Sequence, residues 1–247
     1  MDENIKKLKL QFIRISNMGW IKGQGKGYKN IGYTFERLLN KEVENLEMPD
    51  YEGIEIKTKR VFNKSYITLF SANPDGSYLF EIERIRNTYG YPDSVLRNFK
   101  VFNISVFSNN FKRISNTYFL KLNVDKINRK IYLCVFNKKY KLIDNQTFWT
   151  FNLLEEKLNR KLKTLAVIDA LHKKNKDGEY FKYNNISFYK LRDFDKFVNL
   201  IETGIIRISF KISIFRDGKR LGEIHNHGTG FDIKEEELTK LYEIIKI

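Results

Sequence analysis

Asp50, Glu55 and Lys57 fall within one run, Asp50-Tyr51-Glu52-Gly53-Ile54-Glu55-Ile56-Lys57, and their types and spacing suit chemistry on a phosphate ester. Ile54 and Ile56 alternate with Glu55 and Lys57. A strand here turns both isoleucines to one face and sets the carboxylate and the ammonium on the other, about 7 Å apart along the strand. Asp50, following Pro49, can curl back beside Glu55. Two hard oxygen donors at one strand end suit Mg²⁺, which keeps several waters and takes a phosphate-bearing partner. The lysine can then touch a scissile phosphate or an attacking water. An ordinary half-exposed strand has the same pattern, so the run needs support from the elements that would position it.

The first such element lies upstream. Phe35, Leu38, Leu39, Val43 and Leu46 form an apolar stripe at helical spacing, with Glu36 at its border. A helix here lets Glu36 reach past the packed face toward the strand ends; a solvated helix-edge charge is the alternative. Residues 4–16 predict another amphipathic helix through Ile5, Leu8, Phe12 and Ile15. Between the two helices, Lys22-Gly23-Gln24-Gly25-Lys26-Gly27-Tyr28-Lys29-Asn30 is basic and glycine-rich. It lacks the spacing of a nucleotide-binding P-loop. It reads either as an arm whose backbone N–H groups, Lys26 and Lys29 touch DNA phosphates or as a solvated linker.

Bulk properties narrow the class. A chain of 247 residues with 42% hydrophobic and 15% aromatic content is globular, one unit or two lobes sharing a core. The formal charge of +15, from 45 Lys+Arg against 30 Asp+Glu, predicts a polyanionic partner, nucleic acid first. No apolar run is long enough to span a membrane, and Met1-Asp2-Glu3-Asn4 begins no secretory leader. Cys134 is the only cysteine, which excludes an internal disulfide and cysteine-based zinc sites and points to a reducing cytoplasm.

Downstream the pattern predicts a strand at Tyr66–Phe70, a helix at 77–88 capped by Ser77, and a strand at Val101–Phe107 within the poorly legible stretch 93–115. It then predicts a hairpin of Tyr118–Val124 and Lys130–Phe136, a helix over 150–162 and a buried central strand at 165–168. A strand near Tyr180–Tyr189 and a helix at 192–203, closed by Gly204, lead into the last third.

A second constellation lies there. Ile206, Ile208, Phe210, Ile212 and Ile214 alternate with Arg207, Ser209, Lys211 and Ser213. Asp217-Gly218 predicts a tight type I′ turn. The returning strand carries Arg220 and runs into His225-Asn226-His227-Gly228-Thr229-Gly230. A long hairpin with a basic-polar face can enter a major groove, where arginine reads guanine and asparagine reads adenine; a solvated sheet face is the plain alternative. Arg207, Lys211, Arg220, His225, Asn226, His227 and Thr229 are the candidate DNA contacts. The H-x-H pair supplies too few ligands for zinc, and the three consecutive letters are not the dispersed ββ-metal-helix arrangement of HNH nucleases.

Taken together, the run Pro49-Asp50 to Glu55-x-Lys57 resembles the PD-(D/E)xK nucleases. The chain is similar to the MvaI/BcnI group of type II restriction endonucleases, relatives of the strand-nicking repair enzyme MutH. The similarity runs through Gly32–Glu36, Pro49–Thr58, Phe148-Trp149, Lys161–Asp169 and His225–Gly230. It implies an α/β, restriction-endonuclease-like mixed β-sheet flanked by helices, with two lobes around a DNA-binding cleft: an approximate catalytic lobe at 1–164 and an approximate recognition lobe at 165–247. It further implies that Asp50, Glu55 and the backbone carbonyl of Ile56 hold Mg²⁺, with Mn²⁺ as a substitute. Lys57 would act on the attacking water and Glu36 would assist. The implied enzyme is a monomer that nicks double-stranded DNA one strand at a time, with a cognate DNA methyltransferase as its genetic companion. A MutH-like nicking enzyme and a DNA-binding protein with a vestigial nuclease site are the rival readings. Asp232 stands where the resemblance leads one to expect a basic residue, which leaves the recognised sequence open.

Overall fold

A computed structural model of the chain describes residues 2–39, 48–61, 66–76 and 78–246. Val43, Leu46 and Ser77, assigned above to helices, lie outside the described residues. In chain order the elements begin with α1 (Glu3–Ser16), β1 (Ile21–Lys22), α2 (Asn30–Leu38), β2 (Ile54–Arg60), β3 (Tyr66–Ser71) and α3 (Tyr78–Tyr89). There follow β4 (Tyr91–Pro92), β5 (Lys100–Val106), β6 (Lys112–Ile114), β7 (Tyr118–Asp125), β8 (Lys130–Phe136), β9 (Leu142–Asp144) and β10 (Phe148–Thr150). The last part holds α4 (Phe151–Lys161), β11 (Thr164–Asn175), β12 (Gly178–Leu191), α5 (Phe194–Glu202), β13 (Ile206–Ile214), β14 (Ile224–Lys234), α6 (Leu238–Leu241) and β15 (Tyr242–Ile245).

These elements make two units interleaved along the chain. Met1–Ser65, Leu158–Arg192 and Thr239–Ile247 form one; Tyr66–Lys157 and Asp193–Leu238 form the other. This division differs from lobes at 1–164 and 165–247, because β2 and β11 pair in parallel within the first unit, from Thr164↔Ile54 to Ala170↔Arg60. Parallel neighbours need a long crossover, so nothing local in the sequence marks them as partners.

The sheet of the first unit runs β1-β12-β11-β2, with β15 also on β12. α1 forms because Ile5, Leu8, Phe12 and Ile15 recur on one stripe, all buried, and Asp2 caps its start by accepting from the Asn4 N–H at 3.0 Å. That stripe packs with Ile31 and Phe35 of α2 on Ile54, Ile56, Ala166, Ile168, Ala170 and Phe181. One face of the sheet is therefore the helix-covered core, and Glu55 points from the other.

The second unit holds two sheets, β3-β14-β13-β5-β4 and β10-β8-β7-β6, with β9 beside β8. The alternation along β13 is observed as expected: Ile206, Ile208, Phe210, Ile212 and Ile214 are buried, with Phe102, Trp149 and Phe231 against them. The tight Asp217-Gly218 turn is not formed. Residues 215–223 make a wider loop, with Gly218–Arg220 in a 3₁₀ turn and Phe215 N–H donating to the Glu223 carbonyl at 2.9 Å. Arg216 is held outside a two-residue turn by its ion pair with buried Asp93 at 2.8 Å. Elsewhere in this unit Asp144 accepts from Arg84, from the Tyr89 hydroxyl at 2.7 Å and from the Gln146 N–H at 2.8 Å. Among the described residues no helix is long and apolar enough to cross a membrane.

Candidate active site

Asp50 reaches Glu55 through a tight turn. Tyr51 and Ile54 exchange backbone hydrogen bonds at 2.9 and 2.7 Å, with Glu52 at φ +44° and Gly53 at φ +85°. Two successive left-handed residues define a type I′ turn, a conformation that glycine adopts at no steric cost. The turn folds Asp50 back along β2, where its Oδ2 accepts from the Ile56 N–H at 2.8 Å. Among the described residues β2 lies at the edge of its sheet, and this amide bonds a side chain rather than a strand.

Glu55 is 1% exposed, between Ile54 and Ile56 in sequence but opposite to them in direction. Its Oε1 takes the Lys57 ammonium at 2.5 Å and the Lys161 ammonium at 3.4 Å. Its Oε2 is buried without a hydrogen-bond partner. Burial pushes the Glu55 carboxyl up from its ordinary range, the Lys57 charge opposes, nearby Asp50 adds to the rise, and Lys161 opposes. The rise prevails even with two lysines present, because loss of water around the buried carboxylate outweighs their attraction. A divalent cation fits this set: hard carboxylate oxygens, one of them unpartnered, and a carboxyl destabilised in its charged form.

Lys161 was not among the sequence-derived site residues. It stands at the end of α4, where a lysine also serves the helix C-terminus, and nothing local marks it as a partner of Glu55. Tyr242 was missed as well. The register Glu55↔Leu165, Leu165↔Tyr189 and Leu191↔Tyr242 sets it on the Glu55 face of the sheet. Its hydroxyl is fully buried, and burial together with the Glu55 charge pushes its pKa up.

The other expected residues are placed as follows. Gly32 lies so near β2 that a Cβ there would sit 3.1 Å from Thr58 Oγ1 and 3.6 Å from Glu36 Oε1. Glu36 therefore stands on the helix-covered side, with its charge felt by Tyr183. Among the described residues no three carboxylate, histidine or cysteine side chains gather as a metal-binding group. Lys26 and Lys29 are exposed. The glycine-rich loop around them is tied down rather than free. Gly23 N–H donates to the Glu179 carbonyl at 2.7 Å, Gln24 N–H to Thr34 Oγ1 at 2.9 Å and Gly25 N–H to Asn30 Oδ1 at 2.7 Å. These N–H groups are thus occupied within the unit.

In the second unit, Arg220 pairs with Glu223 at 2.6 Å and lies over the Phe215 ring at 4.0 Å. His225 stacks on Phe215 at 4.1 Å and meets His227 at 3.9 Å. Asn226 Oδ1 accepts from the Gly228 N–H at 2.9 Å. Arg207 and Lys211 are half-buried on the polar face of β13. Thr229, expected among the DNA contacts, is fully buried: it pairs with Phe210 in the sheet and shares its inward face. It packs the core and offers no surface to a ligand.

A mixed sheet flanked by helices is the frame of a restriction-type nuclease, and solved structures bear this fold out. The chain is similar to restriction endonuclease MvaI in complex with its cognate DNA substrate, at TM-score 0.91 and 33% identity over 99% of this chain and 98% of that one. It is also similar to MvaI in the absence of DNA, at TM-score 0.64 and 32% identity with the same coverage. No curated protein matches it. The family model of the MvaI/BcnI restriction endonuclease family matches residues 9–242. The chain belongs to that family and is a type II site-specific deoxyribonuclease.

Proposed function

We propose that the protein binds double-stranded DNA and hydrolyses it with Mg²⁺, or Mn²⁺ in its place, acting as a monomer that nicks the two strands in succession. The observation that carries the metal is the buried, unpartnered Oε2 of Glu55 beside Asp50. Asp50, Glu55 and the Ile56 carbonyl would hold the cation, which when bound supplies Lewis acidity toward the phosphate and acidifies a nucleophilic water. Lys57 contributes a fixed positive charge where negative charge builds on the phosphorane oxygens. Lys161 helps hold the same Oε1 of Glu55, at 3.4 Å, and Glu36 assists from α2. The first unit carries this chemistry.

The second unit would read bases with Arg207, Lys211, Arg220, His225, Asn226 and His227, while Lys26 and Lys29 touch phosphates. The +15 charge supports such a partner. If about six to ten phosphates are neutralised, affinity should fall roughly 10³–10⁵-fold between 50 and 200 mM salt. A cognate methyltransferase would protect the host's own sites.

Incubation of the purified protein with supercoiled plasmid and Mg²⁺ tests the reading. Transient open circle followed by linear product is expected, with EDTA stopping both. A lasting open circle would instead make this a MutH-like nicking enzyme, and intact plasmid with either metal a binding protein with a vestigial site.

A further inference from the structure

On the polar face of the β3-β14-β13 sheet, Arg207 and Asp232 are direct cross-strand neighbours. Asp232 is 2% exposed, and its two oxygens are already bonded: Oδ1 accepts from Thr68 Oγ1 at 2.7 Å and Oδ2 from Ser209 Oγ at 2.6 Å. Arg207 approaches the same Oδ2 through Nε and Nη2, each at 3.4 Å. The hydroxyls therefore do the satisfying, and the arginine adds charge and alignment rather than short hydrogen bonds. A second restraint fixes the plane of the guanidinium, because its Cζ lies 3.4 Å from the centroid of the Tyr66 ring. Gly230 keeps the space beside the carboxylate open. A Cβ there would sit 3.0 Å from Asp232 Oδ1 and 3.4 Å from Lys211 Nζ.

A guanidinium has five N–H donors in a rigid fork. With the Nε–Nη2 edge turned to Asp232 and one face on Tyr66, the edge bearing Nη1 remains for a ligand. That edge matches the O6 and N7 acceptors of guanine in a major groove. An arginine set beforehand in this way loses less conformational freedom on binding than one that must be recruited.

We propose that Arg207 is the guanine-reading arginine of this enzyme and that Asp232, with Tyr66, is its positioning residue, so that the pair determines one G·C position of the recognised sequence. This rests on the reading of the second unit as the one that contacts bases. It also gives the acidic residue at 232 a role: the cation is delivered from β13 and aimed by a buried anion on β14.

The test begins by sequencing the ends that the wild-type enzyme leaves on genomic DNA, which gives the site. Duplexes are then made with 7-deazaguanine, which lacks the N7 acceptor, at each guanine of that site in turn. At one guanine the wild type should lose about 5- to 150-fold in kcat/KM. In Arg207→Ala the same analogue should cost nothing further. In Asp232→Asn, which keeps the shape, the analogue penalty should shrink at that position alone, with Tm followed in parallel. Penalties unchanged in Arg207→Ala overturn the proposal. So does an Asp232→Asn that lowers Tm while leaving the penalty intact, since that is a structural ion pair only. A wild type that cuts no DNA fails the broader functional reading. The Arg207 assignment is then decided by gel shift on duplexes selected from a random pool, using the same analogue ratios.

Discussion

Two buried carboxylates, Glu55 in the first unit and Asp144 in the second, have been treated in opposite ways. Asp144, 8% exposed, is surrounded by donors, with Arg84, Tyr89 and the Gln146 amide upon it. Burial alone would raise its carboxyl, but these donors hold it below the ordinary range. Glu55, 1% exposed, keeps one oxygen unpartnered and its carboxyl is raised despite two lysines. A carboxylate meant to hold structure is saturated; one left short of donors in a buried place is positioned for something that arrives later. On the proposed function, the free energy forgone at Glu55 in the folded protein would be recovered when a cation binds.

Four measurements can break or sharpen this contrast. Lys57→Ala should give the largest effect, a loss of cleavage on the order of 10²–10³-fold or more, with sequence-specific DNA binding largely kept. Cleavage near the wild-type rate would remove Lys57 from the chemistry. Asp144→Asn comes next. It should cost about 3 kcal/mol of stability by breaking a buried pair, with the rate per folded molecule unchanged; a urea titration beside an activity assay separates the two.

The third test uses pH. The carboxyl of Asp144 is depressed in the folded state, so its contribution is present above the unfolded value near pH ~4 and is lost as pH falls through its own lower value. Asp144→Asn should therefore lose its disadvantage in acid. Glu55 has the opposite sign: the folded state holds the proton more tightly, and the cost of ionising appears as pH rises above about 4.3. The smallest effect is thus expected for Glu55→Gln in EDTA. It should change stability at pH 8 by less than about 1 kcal/mol, in the stabilising direction that the raised carboxyl sets, while cleavage with Mg²⁺ is lost. Strong destabilisation by that variant would mean that Glu55 is a structural residue like Asp144.

What could be read in the sequence follows the reach of each signal. The stripe Ile5-Leu8-Phe12-Ile15, the alternation of Ile206 to Ile214 and the Asp50–Lys57 run were legible because helix and strand periods, and one short turn, lie within a few residues. Lys161 and Tyr242 were not, because they meet Glu55 only through α4 and across several strands. The Asp217-Gly218 turn was misread because Asp93, far away in the chain, draws Arg216 aside. Thr229 looked like a surface residue of a polar segment, yet sheet register turns it inward. The interleaving of the two units was hidden for the same reason as the partnership of β2 with β11.

The bond from Asp50 to the Ile56 amide has one more result. Among the described residues β2 ends its sheet, and an edge strand with open amides invites strand addition by another molecule. Here the side chain proposed to serve catalysis also occupies the Ile56 amide on that border, so on that proposal one carboxylate would serve the metal and shield part of the edge. Preparations lacking Asp50 should aggregate more readily than those lacking Lys57, in proportion to how much of the border the aspartate had been keeping closed.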